Sequence, residues 1–374
     1  MKTIKGLFGK VIDFENLYEA WCEARRGKRY REEVMLFSDN LESNLIEIQN
    51  HLINGTYRVG RYRPFFVYEP KKRLVMALPF RDRVVQWAIY RQLFPLLERQ
   101  FIDDSFACRK QKGTHKAADR LQYWLRQTDR RAERYYYLKL DVSKYFYRVD
   151  HAVLIGILRR KIKDKRLISL LATIINSEET KFGLPTGCDP DAIAFDDWLD
   201  EVGMPIGNLT SQMFANVYLN EVDQFAKHEL RLHYYIRYMD DIIILHPDKS
   251  YLWEVKAEIE RYLNENLHLQ LNRKTTIRPC SMGIDFVGYR IWATHRTLKK
   301  STAKRIKHRI GFLAEALKTG EITKERFDRA VASYNGMMEH FDSGGFKNEL
   351  NRIYTVRSAA AEVKNREVKR HDPD

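Results

Sequence analysis

The stretch Tyr238-Met239-Asp240-Asp241 sits between His233-Tyr234-Tyr235-Ile236-Arg237 and Ile242-Ile243-Ile244-Leu245. Both flanks are rich in β-branched and aromatic residues, which fit a pleated, half-buried surface. Each flank therefore reads as a strand, and the four residues between them as the tip of a hairpin. Two adjacent carboxylates on a rigid tip repel unless a hard cation such as Mg²⁺ neutralises them. The same residues also read as an ordinary polar turn, because aspartate is common in turns.

A third carboxylate favours the metal reading. Tyr135 to Val142 is a second strand-like run. Alternation puts Tyr136, Leu138 and Leu140 on one face and Tyr137, Lys139 and Asp141 on the other. Three aspartates at neighbouring strand ends suit two-metal phosphoryl transfer, with one ion at the attacking hydroxyl and one at the leaving pyrophosphate.

In this order and spacing the chain resembles the reverse transcriptases, over roughly residues 55 to 290. The resemblance implies an α+β fold, a right-hand polymerase with fingers, an antiparallel-sheet palm and a helical thumb. It divides the chain into an N-terminal helical region (1–55), fingers with the start of the palm (56–134), palm (135–290) and a basic thumb and tail (291–374). It implies Asp141, Asp240 and Asp241 as catalytic residues, with the Val142 backbone joining them as metal ligands. It also implies two Mg²⁺ ions as cofactor, with Mn²⁺ as the substitute.

The 374 residues suffice for two or three packed subdomains, and 44% of them are hydrophobic, which excludes a disordered chain. A net charge of +15 points to a polyanionic partner. No apolar run reaches the ~18–20 residues of a membrane span. No signal-peptide pattern opens the chain, so a cytoplasmic location and no membrane partner are expected. Cys22, Cys108, Cys188 and Cys280 form no paired motif, which argues against zinc and a disulfide framework.

Residues 1–55 carry apolar residues at helical spacing, Leu41, Leu45, Ile48 and Leu52. The basic cluster Arg25 to Arg31 reads as a solvated loop or an RNA contact. Residues 56–91 read as two strands and a helix opening at Pro79, with nine basic residues opposed by Glu69 and Asp82. A basic hairpin there suits an incoming triphosphate. By resemblance Lys72 and Arg73 hold it, and Arg109, in Phe106-Ala107-Cys108-Arg109, contacts template or nucleotide. Gly113-Thr114 starts a helix.

In the family the aromatic after the first aspartate rejects a 2′-hydroxyl. Phe146 fits that role, with Tyr145 as the fallback. Asp150-His151 reads as a helix cap. Residues 183–203 form an irregular insertion with five aspartates and no assigned task. Leu267 to Leu271 alternates as a strand, and Lys274 beyond it resembles a residue near the leaving pyrophosphate. Gly283 to Arg290 resembles the primer grip, with Phe286, Gly288 and Tyr289 seating the primer end. The basic helices after 296 are interrupted at Gly344-Gly345, and 362–374 reads as a charged tail. No RNase H, endonuclease or integrase domain is expected.

One departure narrows the resemblance. Most reverse transcriptases carry Gln-Gly-x-x-x-Ser-Pro where this chain has Ile206-Gly207-Asn208-Leu209-Thr210-Ser211-Gln212. Ile206, Gly207 and Gln212 would then face the nascent base pair, and loss of the glutamine amide would relax base selection. The pattern resembles the enzymes of diversity-generating retroelements. These copy a template-repeat RNA into adenine-mutagenised cDNA from deoxynucleoside triphosphates, with a small basic oligomeric accessory protein. Group II intron-like and defence-associated reverse transcriptases are the alternatives, and a catalytically silent RNA-binding scaffold is the rival of another class.

Overall fold

The computed structural model describes residues 3–68, 72–177, 181–185, 187–273, 275–350 and 352. Four helices come first, α1 (Phe8–Val11), α2 (Phe14–Ala24), α3 (Glu32–Asp39) and α4 (Leu41–Ile53). A hairpin of β1 (Arg63–Val67) and β2 (Arg73–Ala77) leads into α5 (Phe80–Glu98) and α6 (Thr114–Asp129). Next come β3 (Tyr136–Asp141), α7 (His151–Lys161), α8 (Lys165–Ile175) and α9 (Leu209–Gln224). Then follow β4 (Tyr235–Tyr238), β5 (Asp241–His246) and α10 (Lys249–Leu267). The chain continues through β6 (Thr276–Pro279), β7 (Ile284–Phe286), β8 (Tyr289–Ile291) and β9 (Arg296–Leu298) to α11 (Lys300–Lys318) and α12 (Lys324–Met338).

These elements form two compact units. The first gathers residues 1–111, 138–244 and 249–276. Here β4, β5 and β3 lie side by side in that order, and β4 and β5 are antiparallel. The residues Met213 to Asn220 of α9 are all buried, and α9 packs on α5. A helix apolar on nearly all sides belongs in a core, which places its polar residues Asn216, Asn220 and Asp223 among buried groups. Asp150 caps α7 as expected, accepting from the Val153 N–H at 2.9 Å. The 183–203 segment is largely irregular, with one 3₁₀ turn at Phe195–Asp197.

The second unit gathers 112–137, 245–248 and 277–374. It holds the antiparallel meander β7-β8-β9, on which α6 packs, and the α11–α12 pair closed over Leu313, Ala314 and Phe327. The sequence division placed α6 with the fingers. Its contact with β8 spans well over a hundred residues, and no local pattern reports it.

Two expectations are corrected. Leu267 to Leu271 is not a strand: α10 runs on to Leu267, and His268 then takes a left-handed φ of 50° that reverses the chain. Only Leu271 pairs, as an isolated antiparallel bridge to Val142. Gly344 and Gly345 do not merely interrupt the helices; a further helical segment begins at 344. The expected tail, 362–374, lies outside the described residues.

Candidate active site

The hairpin register pairs Tyr238 with Asp241, so Met239 and Asp240 form a two-residue turn. Met239 has φ 54°, a left-handed conformation that costs a non-glycine residue about 1–2 kcal/mol. Such strain persists where the surroundings hold it, and it collects at functional sites. The Val142 N–H donates to the Asp240 carbonyl at 3.2 Å, tying the end of β3 to the turn. Asp141 and Asp240 thereby become neighbours across about a hundred residues of chain. Asn272 closes the other side. Its N–H donates to the Asp141 carbonyl at 2.7 Å and its Nδ2 to Asp141 Oδ2 at 3.1 Å.

The electrostatics follow from crowding and burial. Burial, then the nearby Asp141 charge, pushes the Asp240 carboxyl above its usual range, with Arg73 and Arg237 pulling the other way. Burial raises Asp241 to about 6; Lys139 opposes this, and the Asp141 and Asp240 charges add to it. Lys139 Nζ donates to Asp241 Oδ2 at 2.8 Å. Asp241 Oδ1 is buried and finds no hydrogen-bond partner among the described residues. An orphaned carboxylate oxygen among carboxylates that cost energy to ionise fits a hard, oxygen-seeking divalent cation. Among the described residues no three acidic, histidine or cysteine side chains already form a cage for one ion.

Arg73 opens β2, is exposed, and its charge reaches Asp240. Lys72 is exposed beside it, 4.8 Å over the Phe66 ring and 2.5 Å from Asp191 in the acidic insertion. That insertion also reaches Lys144, through Asp189 at 2.6 Å. Arg109 is engaged by neighbouring groups of the chain. Its side chain is only 8% exposed, and its guanidinium donates to Glu98 at 3.0 Å and to the carbonyls of Ile102 and Ser105 at 2.8 and 2.7 Å. It braces the α5–α6 connection.

Tyr145 is core: it is 2% exposed and its hydroxyl donates to the Ala215 carbonyl at 2.7 Å. Phe146 is half-buried. Ile206 is half-buried, and its carbonyl accepts from the Met76 N–H of β2 at 3.0 Å. Gly207 has φ 113°, and a Cβ there would lie 2.8 Å from Val75 Cγ1. The turn is thus fastened to the β1–β2 hairpin, a tie reinforced by Asn208 Nδ2 donating to Tyr62 Oη at 2.9 Å. Beside it opens a cleft of about 350 Å³ lined by Gly207, Asn208, Gln212 and Val75 together with Lys28 and Arg31 of the N-terminal basic cluster.

Lys274 lies outside the described residues. In the second unit Phe286 and Tyr289 are buried and face each other across the β7–β8 hairpin. Its turn residues Val287 and Gly288 both have positive φ, 44° and 90°, the pattern of a type I′ turn. Three residues escaped the sequence reading. Lys139 was signalled by sharing a strand face with Asp141, and Arg237 by being the one lysine or arginine in the β4–β5 strand pair. Asp223, which grips Arg237, had no signal.

Comparison with known proteins places the chain in a family. The family model "Reverse transcriptase (RNA-dependent DNA polymerase)" matches residues 69–291, more than half of the chain. The chain is similar to Protein YkfC of Escherichia coli, 27% identical over 66% of this chain and 72% of that protein. It is similar to the group II intron-encoded protein LtrA of Lactococcus lactis, 22% identical over 86% of this chain and 61% of that protein. Among solved structures it is similar to telomerase from Candida albicans, with 12% identity and a TM-score of 0.46 over 88% of this chain and 64% of that one. Reverse transcriptase domains use divalent metal ions, and the α+β mixture of helices and antiparallel sheet is that of a right-hand polymerase. This chain belongs to the reverse transcriptase family, the RNA-dependent DNA polymerases.

Proposed function

We propose that the chain extends a 3′-hydroxyl with deoxynucleotides on an RNA template, using Asp141, Asp240 and Asp241 as its catalytic carboxylates. The observation that carries this is the stitching of β3 to the Met239-Asp240 turn, which brings Asp141 beside Asp240 and Asp241, two half-buried carboxyls pushed above their usual range, with one Asp241 oxygen unpaired among the described residues. Asp141, Asp240 and the Val142 carbonyl would hold two divalent ions, Mg²⁺ or Mn²⁺ in its place, with Asp241 completing the charge. Bound there, such ions supply hydroxyl activation and neutralise the leaving pyrophosphate. Arg73 and Lys72 would pair with the triphosphate, Lys72 after exchanging Asp191 for a phosphate. Phe146 is the half-buried ring that would exclude a 2′-hydroxyl. Template RNA, cDNA and deoxynucleotides are the partners.

The similarity to LtrA supports a group II intron-like enzyme. A second reading rests on Ile206 to Gln212. This stretch supports the diversity-generating branch, with adenine-directed errors and a small basic accessory oligomer. One experiment separates them: sequencing of cDNA made by the purified chain on a defined adenine-containing RNA with Mg²⁺ and all four deoxynucleotides. Errors concentrated at template adenines, reduced by Ile206→Gln, favour the second reading. Faithful cDNA favours the first. Absence of any Mg²⁺-dependent product, with or without added accessory protein, would overturn the polymerase assignment.

A further inference from the structure

Arg237 is fully buried, yet it sits one residue before the Tyr238-Met239-Asp240-Asp241 turn. Its guanidinium is shared between two tasks. Nε and Nη2 grip both Asp223 oxygens at 2.7 and 2.6 Å. Nη1 donates to the Met239 carbonyl at 3.0 Å. Asp223 is itself held, since Tyr235 Oη donates to its Oδ1 at 2.7 Å. Asn216 Oδ1 lies 3.4 Å from Nη1.

The Met239 carbonyl belongs to the peptide plane that enters Asp240. The next carbonyl, that of Asp240, accepts from Val142 at 3.2 Å. The two peptide planes that flank the Asp240 side chain are therefore both fixed, one by Arg237 and one by β3. The fork geometry matters, because a guanidinium presents several donors in fixed directions and an ammonium does not. A buried ion pair is weak evidence of stability on its own, since apolar replacements of the whole pair are often neutral. A bond into the strained turn gives this pair another purpose.

We propose that Arg237 is a positioning residue that sets the Asp240 carboxylate for metal binding, with Asp223 as its anchor. The inference rests on reading Asp240 as a metal-binding carboxylate. α9, which begins at the Ile206-Gly207-Asn208 turn, carries both Asn216 and Asp223, so the helix that starts at that turn also holds the catalytic turn in place.

The test measures Mn²⁺ affinity by electron paramagnetic resonance titration, together with Tm and steady-state kinetics. It uses the full chain, Arg237→Lys, and the paired variant Arg237→Met/Asp223→Leu. Arg237→Lys keeps a cation for Asp223 but cannot also span to Met239. The paired variant removes the ion pair as a unit and leaves no unpaired buried charge. Both should weaken Mn²⁺ binding by about 10- to 100-fold, the range found when groups that orient metal ligands are removed. Both should lower kcat while leaving KM for deoxynucleotides within about twofold, since only the metal site is disturbed. Wild-type Mn²⁺ affinity in either folded variant overturns the inference. So does Mn²⁺ affinity that merely follows Tm across the two variants, and so does failure of both to fold, which makes the arginine a part of the fold alone. Asp240→Asn is the control for the underlying reading. If Mn²⁺ binding to the parent chain does not depend on Asp240, the metal-site assignment itself falls.

Discussion

Lys139 Nζ donates to Asp241 Oδ2 at 2.8 Å, across the pairing of β3 with β5, with both side chains 26% exposed. This lysine opposes the rise of Asp241 to about 6. In Lys139→Met the carboxyl should titrate higher, so incorporation at pH 7 should drop about tenfold and recover at more alkaline pH, as acid–base linkage requires. A pair this accessible contributes only about 0–1 kcal/mol to stability, so Tm should barely move. A pH–rate profile with an unshifted acidic limb would refute the role.

Asp240→Ala should reduce nucleotide incorporation on the order of a thousandfold or more, as removal of a group acting in the transition state does. The fold should survive, because the substitution removes a carboxyl whose ionisation burial and Asp141 already oppose. Circular dichroism and a primer-extension assay check both halves. Full activity would sink the catalytic assignment.

Asp240 and Asp241 both have raised values when folded, and this sets the sign of a stability effect. Between about 4, the unfolded aspartate value, and about 6, the folded state holds a proton that the unfolded state has lost. The contribution of Asp241 to stability therefore falls as pH rises through that window. In chelator-treated protein, Tm should decline more steeply from pH 4.5 to 6.5 than it does in Asp241→Asn. Equal slopes would show that the carboxyl is not raised.

Phe146→Val should lower discrimination against ribonucleotides by about 10- to 100-fold, the scale of a lost steric contact in a binding pocket. Tyr145→Phe should leave discrimination untouched and cost about 1 kcal/mol, the worth of one buried hydrogen bond. Competition assays with paired ribo- and deoxynucleotides decide between the two rings. If Tyr145→Phe is the variant that relaxes selection, the assignment is reversed.

Gly207→Ala faces two obstacles, a φ of 113° and a Cβ placed 2.8 Å from Val75 Cγ1. The substitution should destabilise by about 1–3 kcal/mol through overpacking, read as a fall in denaturant midpoint. It should also loosen the β2 tie at Met76, so the KM for deoxynucleotides should rise. An unchanged midpoint would mean that β2 and the turn part easily.

The sequence by itself determined most of the local elements around Asp141 and the Asp240-Asp241 turn. Alternation named β3, β-branched and aromatic runs named β4 and β5, and the adjacent aspartates fell between those two runs. The order of motifs was enough to place the family, and the alternation that put Lys139 on the face of Asp141 already held the clue to its partner. The tertiary structure decided which polar groups are spent on one another. Arg109 looks like a free cation in sequence, but its Nε donates to Glu98 and its Nη1 to two carbonyls. Arg237 finds Asp223 on a helix, and the Met239 carbonyl finds Arg237, because chain segments meet in the core. Hydrogen-bond satisfaction in a buried site depends on which groups burial brings within about 3 Å, and no periodicity along the chain records that.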